Sequence, residues 1–148
     1  RREADVVEVF RDPARDAALN PVDVDMGDIP DMVPSLASVA MFATGPTSIS
    51  NIGHLRVKET DRIEGVAACL RALGATVDVG ADFLVVRPPV GGASKLHSGD
   101  IDPRSDHRLA MAFSIAGLAI PGVRILDPGC VGKSFPGFFD QLQAPGRG

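Results

Sequence analysis

The sequence predicts an α/β protein built from repeated units. Apolar residues at helical spacing alternate along the chain with short runs rich in β-branched residues, which is the pattern of helices and strands in turn. A shift of 75 residues aligns the sequence with itself and places Asp31 on Asp106 and Lys58 on Lys133. Each unit then runs from an acidic residue through a helix, a turn with Pro, a strand and a loop to a Lys. Two units are predicted here, with at least one more upstream.

The first unit, at about 14–89, contains the clearest helix. Ile63, Val66 and Leu70 mark one face of it, acidic residues fill its first turn, and Gly74 ends it. The predicted elements of this unit are a helix over 31–43, a strand over 47–52, a helix over 59–73 and a hairpin of 76–79 with 83–87.

The second unit, at about 90–143, repeats this order. Its first helix is apolar on nearly all sides, which indicates a buried position. The predicted elements are a helix over 106–120, a strand over 123–126 and a short helix over 135–142. The segment 6–13, with a strand predicted over 6–10, resembles 83–89 at a similar shift and is the predicted tail of an earlier unit. Mobile ends are expected at 11–20 and 144–148.

Composition excludes several classes of protein. The 148 residues are 45% hydrophobic with a net charge of −4, so the chain can bury a core but offers no basic field for nucleic acid or an anionic membrane. Its longest apolar stretch, 109–120, is too short to span a bilayer. Cys69 and Cys130 lack paired spacing, which favours a reduced cytoplasmic protein, although a plastid fits as well. The chain starts on Arg1 without Met, as expected of an excised fragment.

Charged residues cluster at the start of the helix predicted over 59–73. Glu59 and Arg62 lie three residues apart and Lys58 and Arg62 four apart, so their side chains can share one face. The planar fork of Arg62 is suited to a substrate carboxylate, beside a carboxyl group that transfers protons. The alternative is a solvated helix start whose acidic residues complement the helix dipole.

A second charged group, Asp106-His107-Arg108, opens the helix that is predicted to be buried. His107 and Arg108 carry the wrong sign for a helix N-terminus, and a bound anion would satisfy both the helix and these cations. The alternative is a helix capped by Asp106, with Arg108 paired to a carboxylate elsewhere.

A third segment, 127–134, nearly matches the phosphate loop GxxxxGK[ST] between a strand and a helix. Asp127 stands in place of the first glycine, and no acidic metal-binding strand follows. These departures disfavour a nucleotide site. A loop that delivers Lys133 to some phosphate or carboxylate is still expected.

The remaining candidates have simple structural explanations. Asp31, just before a helix, is typical of an N-cap. His54 and His97 are lone histidines of the kind found at surface or hydrogen-bonded loop positions, and Cys69 is predicted to be in the core. No His/Cys cluster or HExxH motif indicates a metal.

Four segments resemble the 5-enolpyruvylshikimate-3-phosphate synthase family, and they occur in the family's order. They are Ile-Pro-Asp at 29–31, the stretch 51–63 with Lys-Glu-x-Asp-Arg, the stretch 106–113 with Asp-His-Arg-x-Ala-Met, and Lys-x-Phe-Pro at the end of 131–136. The resemblance implies the enolpyruvyl transferase fold, an inverse α/β barrel with two domains of three α/β repeats and the site between them. Residues 1–148 would be about two of the three repeats of the C-terminal domain. The N-terminal domain would be absent, and it would be this chain's partner in the site.

The resemblance also implies a reaction. The family transfers the enolpyruvyl group from phosphoenolpyruvate to the 5-hydroxyl of shikimate 3-phosphate and releases phosphate, in aromatic amino-acid biosynthesis. A C–O bond breaks, so the chemistry requires no metal and no cofactor. The implied partners are these two small molecules, with no nucleic acid and no membrane. The fragment alone is expected to be inactive, because the groups that hold the shikimate phosphate would lie upstream.

Four residues take catalytic roles by this resemblance. Glu59 would be the acid and base at the methylene carbon, and Asp31 would orient and deprotonate the shikimate hydroxyl. Lys133 and His107 would stabilise the developing charge and the departing phosphate.

Four others would bind substrate. Arg62 and Arg108 would hold the phosphoenolpyruvate carboxylate, each as a planar fork. Lys58 would lie beside the shikimate hydroxyl, and His54 sits where some members carry an Asn that touches the substrate.

Three rival functions stay open. The enolpyruvyl transferase that acts on UDP-N-acetylglucosamine shares the fold but lacks the Lys-Glu-x-Asp-Arg and Asp-His-Arg pair. A non-catalytic α/β module would bind anions or a partner chain. A nucleotide binder would use 127–134 and would show ATP binding by calorimetry.

Overall fold

The computed structural model describes residues 18–143 and, before them, only the backbone of two short strands. The strands are β1 (Arg2–Glu3), β2 (Val6–Val7), β3 (Asp23–Asp25), β4 (Thr47–Ser50), β5 (Thr76–Val79), β6 (Leu84–Arg87), β7 (Asp100–Ile101) and β8 (Arg124–Ile125). The α-helices are α1 (Val33–Ala40), α2 (Arg62–Ala72), α3 (His107–Ala116) and α4 (Phe138–Gln143). Short 3₁₀ helices cover Pro30–Met32, Gly53–Val57, Ala93–Lys95 and Pro128–Lys133.

One four-stranded sheet dominates the described part of the chain. Its strand order is β3-β4-β6-β5, with β3 parallel to β4 and the other neighbours antiparallel. A separate parallel pair joins β7 to β8, and β1 pairs with β2 as an antiparallel hairpin. The mixed pairing is typical of an α/β unit to which a hairpin has been added at the sheet edge.

The same order of elements occurs twice. A strand, a helix and a second, parallel strand (β3–α1–β4) are followed by a 3₁₀ helix and α2, and β7–α3–β8 are followed by a 3₁₀ helix and α4. Corresponding helices begin about 75 residues apart. This recurrence agrees with the shift found in the sequence, while the unit boundaries at 14–89 and 90–143 stay a prediction.

The core lies between the helices and the sheet. α1 packs against α3, and α2 covers the hairpin of β5 and β6. Burial of aliphatic side chains removes apolar surface from water and provides the main stabilisation. The fully buried members include Met41, Ile49, Ile63, Leu70, Leu84, Leu109 and Phe113.

Local details correct several predicted boundaries. The helix predicted from Glu59 begins at Arg62, because the Asp61 carboxylate accepts the Glu64 N–H and caps it there. The helix predicted over 106–120 ends at Ala116, and it is not buried on all sides, since Ile115 is 48% exposed.

Other predicted boundaries also differ from those in the structure. The helix predicted over 31–43 begins with a 3₁₀ turn and is α-helical over Val33–Ala40. The strands predicted over 47–52 and 123–126 are shorter, and the last helix begins at Phe138. The predicted hairpin is confirmed, and strands β3 and β7 had not been predicted.

Predictions for the chain ends fall largely outside the described residues. Of the strand predicted over 6–10, only Val6–Val7 is described, and it is a strand. Of the ends predicted to be mobile, 11–17 and 144–148 are not described. Within the described residues of the first end, the Leu19 carbonyl accepts the Thr44 N–H at 2.8 Å, and the mobility expected there stays a prediction. No helix in the described ranges is long and apolar enough to cross a membrane.

Candidate active site

Side chains from four separate segments meet at one end of the helices. Asp31 lies in the 3₁₀ turn before α1, and Glu59 lies in the loop before α2. Asp106 and Arg108 belong to the start of α3, and Lys133 ends the 3₁₀ helix Pro128–Lys133. The repeated unit produces this convergence, because each unit places its helix start and its following loop on the same side.

Arg62 is the centre of the site. Its side chain is 1% exposed, and each nitrogen of the guanidinium donates to a different carboxylate. Nε contacts Asp106 Oδ2 at 2.6 Å, Nη1 contacts Asp31 Oδ1 at 3.1 Å and Nη2 contacts Glu59 Oε2 at 2.6 Å. A buried guanidinium needs such partners because an unpaired charge is costly in a medium of low polarity.

Asp31 is shared between two arginines. Its Oδ2 accepts from Arg108 Nη2 at 2.7 Å while Oδ1 accepts from Arg62. The interpretation of Asp31 as an N-cap is wrong, since Met32 is the N-cap residue of α1 and no side chain caps it. The Asp31 side chain is 49% exposed, so a ligand can reach this carboxylate.

Glu59 bridges Arg62 to Lys133. Lys133 Nζ donates to Glu59 Oε1 at 3.3 Å, and the Lys133 side chain is 63% exposed. A hydrogen bond from the backbone of Glu59, together with Lys133 and Arg62, lowers the pKa of its carboxyl group to about 2. Glu59 is therefore ionised at neutral pH in this arrangement.

Asp106 has two partners and no exposed surface. Oδ1 accepts the Arg108 N–H at 2.9 Å and caps α3, while Oδ2 binds Arg62. The sequence predicted the cap alone. The bond to Arg62 spans 44 residues, and no local pattern signals a contact at that distance.

The six charged groups form one neutral network. Three cations and three carboxylates are joined by five ion pairs, running from Lys133 through Glu59 to Arg62 and on to Asp31 and Arg108, with Asp106 beneath Arg62. Among the described residues, no group of three or more His, Cys, Asp or Glu is arranged to hold a metal ion. The carboxylates converge on a guanidinium instead.

The other predicted site residues lie around this network. His107 begins α3 and is 6% exposed, and its Nδ1 is buried without a hydrogen-bond partner among the described residues. Lys58 and His54 are exposed, and neither forms a side-chain hydrogen bond within the described ranges. Their predicted roles stay predictions. His97 is a hydrogen-bonded loop residue, with Nδ1 2.9 Å from the Ser98 carbonyl oxygen, and Cys69 is in the core as predicted.

The phosphate-loop alternative does not fit the structure of 127–134. Pro128–Lys133 forms a 3₁₀ helix, so its backbone is coiled on itself and is not an open cradle. The next helix begins only at Phe138, whereas a phosphate loop ends at a helix start that carries the Lys. Lys133 contacts Glu59.

Comparison with known proteins agrees with the four motifs. The sequence profile of the family described as EPSP synthase (3-phosphoshikimate 1-carboxyvinyltransferase) matches residues 2–142. The chain belongs to the EPSP synthase family. A 3-phosphoshikimate 1-carboxyvinyltransferase from Methanosphaerula palustris is 50% identical over 128 residues, which are 86% of this chain and 29% of that protein. A chloroplastic one from Petunia hybrida is 48% identical over 125 residues, 84% of this chain and 23% of that protein.

A solved structure confirms the fold expected of an EPSP synthase relative. An EPSP synthase from Acinetobacter baumannii superposes with a TM-score of 0.77 at 30% identity, covering 87% of this chain and 31% of that one. The enolpyruvyl transferase fold implied by the motifs is thereby confirmed. The chain spans about a third or less of the length of the relatives it matches.

Proposed function

We propose that this chain is part of the C-terminal domain of an enzyme that transfers the enolpyruvyl group of phosphoenolpyruvate to the 5-hydroxyl of shikimate 3-phosphate and releases phosphate. The observation that carries the proposal is the neutral network of three cations and three carboxylates, drawn from four segments of the chain. The reaction needs cations for a carboxylate and a phosphate, and carboxyl groups for two proton transfers.

Residues in the network and around it have separate roles in this reaction. Glu59 protonates the methylene carbon and later removes a proton from it, and Asp31 accepts the proton of the attacking hydroxyl. Lys133, 3.3 Å from Glu59, would neutralise the departing phosphate. His107, which opens α3, would assist it. Lys58 and His54 would contact the shikimate moiety from the exposed side of the loop and of the adjoining 3₁₀ helix.

The carboxylate of phosphoenolpyruvate must enter an occupied site. All three nitrogens of Arg62 already have carboxylate partners, and the bond to Asp106 is buried. Arg108 is 34% exposed and uses one nitrogen for Asp31, so the substrate carboxylate would contact Arg108 first. It would then replace Asp31 or Glu59 at Arg62, because a bidentate Arg–carboxylate pair is favoured.

This exchange would also change the chemistry of Glu59. With its pKa near 2, the Glu59 carboxylate carries no proton to donate at neutral pH. In the case where the substrate carboxylate replaces Glu59 at Arg62, Glu59 loses one of the interactions that lower its pKa, after its backbone hydrogen bond and Lys133. Substrate binding would thereby raise the pKa of Glu59, in the direction that proton donation requires.

The experiment uses the full-length protein that contains this chain. With phosphoenolpyruvate and shikimate 3-phosphate, it is expected to release phosphate, and Glu59→Gln should lower the rate roughly 10²- to 10⁴-fold. Asp100→Asn is the control, since Asp100 is an exposed carboxylate paired to Arg124 in the parallel strand pair of the second unit. Absence of phosphate release by the full-length protein, or equal rates for both variants, would contradict the proposal.

The isolated 148-residue chain should show no turnover. The N-terminal domain would complete the cleft, and holding both reactants in register can supply roughly 7–11 kcal/mol of the barrier. Turnover by the isolated chain with both substrates would show that these residues hold a complete site.

We also infer that the enzyme works in the cytoplasm. The two cysteines are unpaired, and Cys69 is buried, as in proteins of a reducing compartment. A plastid is equally reducing, so localisation of the tagged full-length protein is the measurement that decides between them.

A further inference from the structure

The loop that carries Lys58 and Glu59 has little structure of its own. It joins the 3₁₀ helix Gly53–Val57 to α2, and Val57 at its start is 84% exposed. Yet the proposed acid and base, Glu59, must keep a fixed position relative to Arg62. Arg62 and Lys133 bind its carboxylate, and the backbone of the loop needs a support of its own.

Arg56 supplies three bonds at the base of this loop. Nη1 donates to Asp61 Oδ2 at 2.6 Å, so the residues on either side of 57–60 are joined. Nε donates to the Ala81 carbonyl at 2.9 Å and Nη2 to the Gly80 carbonyl at 2.6 Å. One guanidinium thus closes the loop and ties it to the tip of the β5–β6 hairpin.

Asp61 extends this closure into α2. Its other oxygen, Oδ1, accepts the Glu64 N–H at 3.1 Å and caps the helix that Arg62 begins. The carboxylate that holds Arg56 therefore also sets where α2 starts. The position of the Glu59 loop and the position of Arg62 depend on the same side chain.

The hairpin tip is a firm support for Arg56. The Gly80 N–H donates to the Phe83 carbonyl and the Ile52 N–H donates to the Asp82 carbonyl, both at 2.9 Å. The ring of Phe83 fills the space at Gly80, where an added Cβ would lie 2.0 Å from it. Because these two hydrogen bonds hold the tip, the tip can fix the position of the loop that Arg56 joins to it.

We propose that Arg56 and Asp61 are positioning residues that clasp the Lys58–Glu59 loop to the hairpin tip and so place Glu59 for proton transfer. The clasp needs an arginine, because a planar fork presents donors in several directions and the single ammonium of a lysine does not. The proposal rests on the proposed function in naming the proton transfer, but the clasp itself is testable without it.

The test compares Arg56→Lys, Arg56→Ala and a control in the full-length protein. Arg87→Ala is the control, since Arg87 binds Asp78 with two bonds at the opposite end of the same hairpin and lies outside the site. With both substrates, kcat should fall roughly 10- to 100-fold for both Arg56 variants, as expected when catalytic groups are slightly misplaced. The control should stay within about twofold of the wild type. Equal kcat values for Arg56→Lys and the control would overturn the proposal.

A second measurement does not depend on turnover. In protein with ¹³C-labelled Glu side chains, the Glu59 signal is assigned with Glu59→Gln and its pKa is followed by NMR. The low pKa of Glu59 depends on its backbone and on Lys133 and Arg62, so a displaced loop should raise it towards its ordinary value of 4.5. Arg56→Lys keeps the positive charge, so a rise in that variant reports a moved loop and not a lost charge. An unchanged Glu59 pKa in Arg56→Lys would overturn the clasp.

A third variant covers the case in which Arg56→Ala does not fold. Asp61→Asn keeps an oxygen to cap α2, because Asn caps as well as Asp, but loses the charge 2.6 Å from Arg56 Nη1 and leaves only the Glu64 carboxylate at 3.9 Å. It should lower kcat and raise the Glu59 pKa in the same directions, and wild-type values for both would overturn the proposal. If the wild-type protein shows no turnover at all, the proposed function fails while the NMR result still decides on the clasp.

Discussion

Asp31 and Asp106 stand at matching points of the two units, and both carboxylates bind Arg62. Their surroundings differ completely. Asp31 is 49% exposed and is shared with Arg108, whereas Asp106 is fully buried and caps α3. The same residue in the same position of a repeat has become a reachable group in one unit and a structural one in the other.

The way each helix begins explains this division. In the first unit a 3₁₀ turn, Pro30–Met32, precedes α1, so Asp31 lies outside the α-helix and its carboxylate faces the arginines. In the second unit Asp106 is itself the N-cap, and its carboxylate is held beneath Arg62. Because of this added 3₁₀ turn, a substrate can reach the Asp31 carboxylate, whereas the Asp106 carboxylate holds Arg62 and the start of α3 in place.

The largest expected effect is the loss of stability in Asp106→Ala. The substitution leaves Arg62 Nε buried without its partner and removes the cap of α3. Breaking one side of a buried ion pair costs about 3–5 kcal/mol. Thermal unfolding of the full-length protein should show a Tm lower by roughly 10 °C.

Asp106→Asn is the matched control for this prediction. Asn retains an acceptor for the Arg108 N–H and an oxygen near Arg62, so it should lose less stability than Ala. Equal stability of Asp106→Ala and the wild type would show that the bonds of Asp106 to Arg62 and to the start of α3 do not stabilise the fold.

A smaller effect on stability, with a large effect on rate, is expected for Asp31→Asn. Exposed ion pairs contribute about 0–1 kcal/mol, and Arg62 keeps its bonds to Asp106 and Glu59. The loss of a group that accepts a proton should lower kcat roughly 10²- to 10⁴-fold. Paired measurements of Tm and kcat test the division of roles, which would be wrong if Asp31→Asn lost more stability than Asp106→Ala.

The sequence predicted the elements that depend on local patterns. Helix α2 and the β5–β6 hairpin were found because their apolar spacing and turn residues act over a few positions. The start of α2 was misplaced at Glu59, although Asp61 followed three residues later by Glu64 is a capping pattern that marks the true start.

The parts that were missed depend on distant partners. Strand β3 is Asp-Val-Asp, a composition with low strand propensity, and it is held by pairing with β4 about 25 residues later. The motifs named Glu59, Arg62 and Lys133, but only the fold shows that Arg62 is saturated by three carboxylates. Similarly, Arg56 has no local feature that predicts its bonds to Gly80 and Ala81.

The smallest expected effect concerns the two residues that lead into α3. Arg104 and Ser105 have φ values of 52° and 60°, in the left-handed region that costs a non-glycine residue about 1–2 kcal/mol. In the first unit Pro30 precedes α1, and no residue described at that helix start has a positive φ. Ser105→Gly should relieve more strain than the roughly 0.5–1 kcal/mol of backbone entropy that Gly adds. Its bond to Asp127 is long, at 3.4 Å, and its loss should matter little.

Ser105→Gly should therefore raise the Tm of the full-length protein by roughly 1–2 °C, since about 0.5–1 kcal/mol shifts the Tm of a 150–250-residue domain by roughly 1–4 °C and that of a longer chain by less. Ser35→Gly is the matched control, because Ser35 lies inside α1, where Gly destabilises. The two variants should move Tm in opposite directions. A decrease for Ser105→Gly equal to that of Ser35→Gly would mean that the entry to α3 is unstrained, and the contrast between the two helix starts would then rest on burial and capping alone.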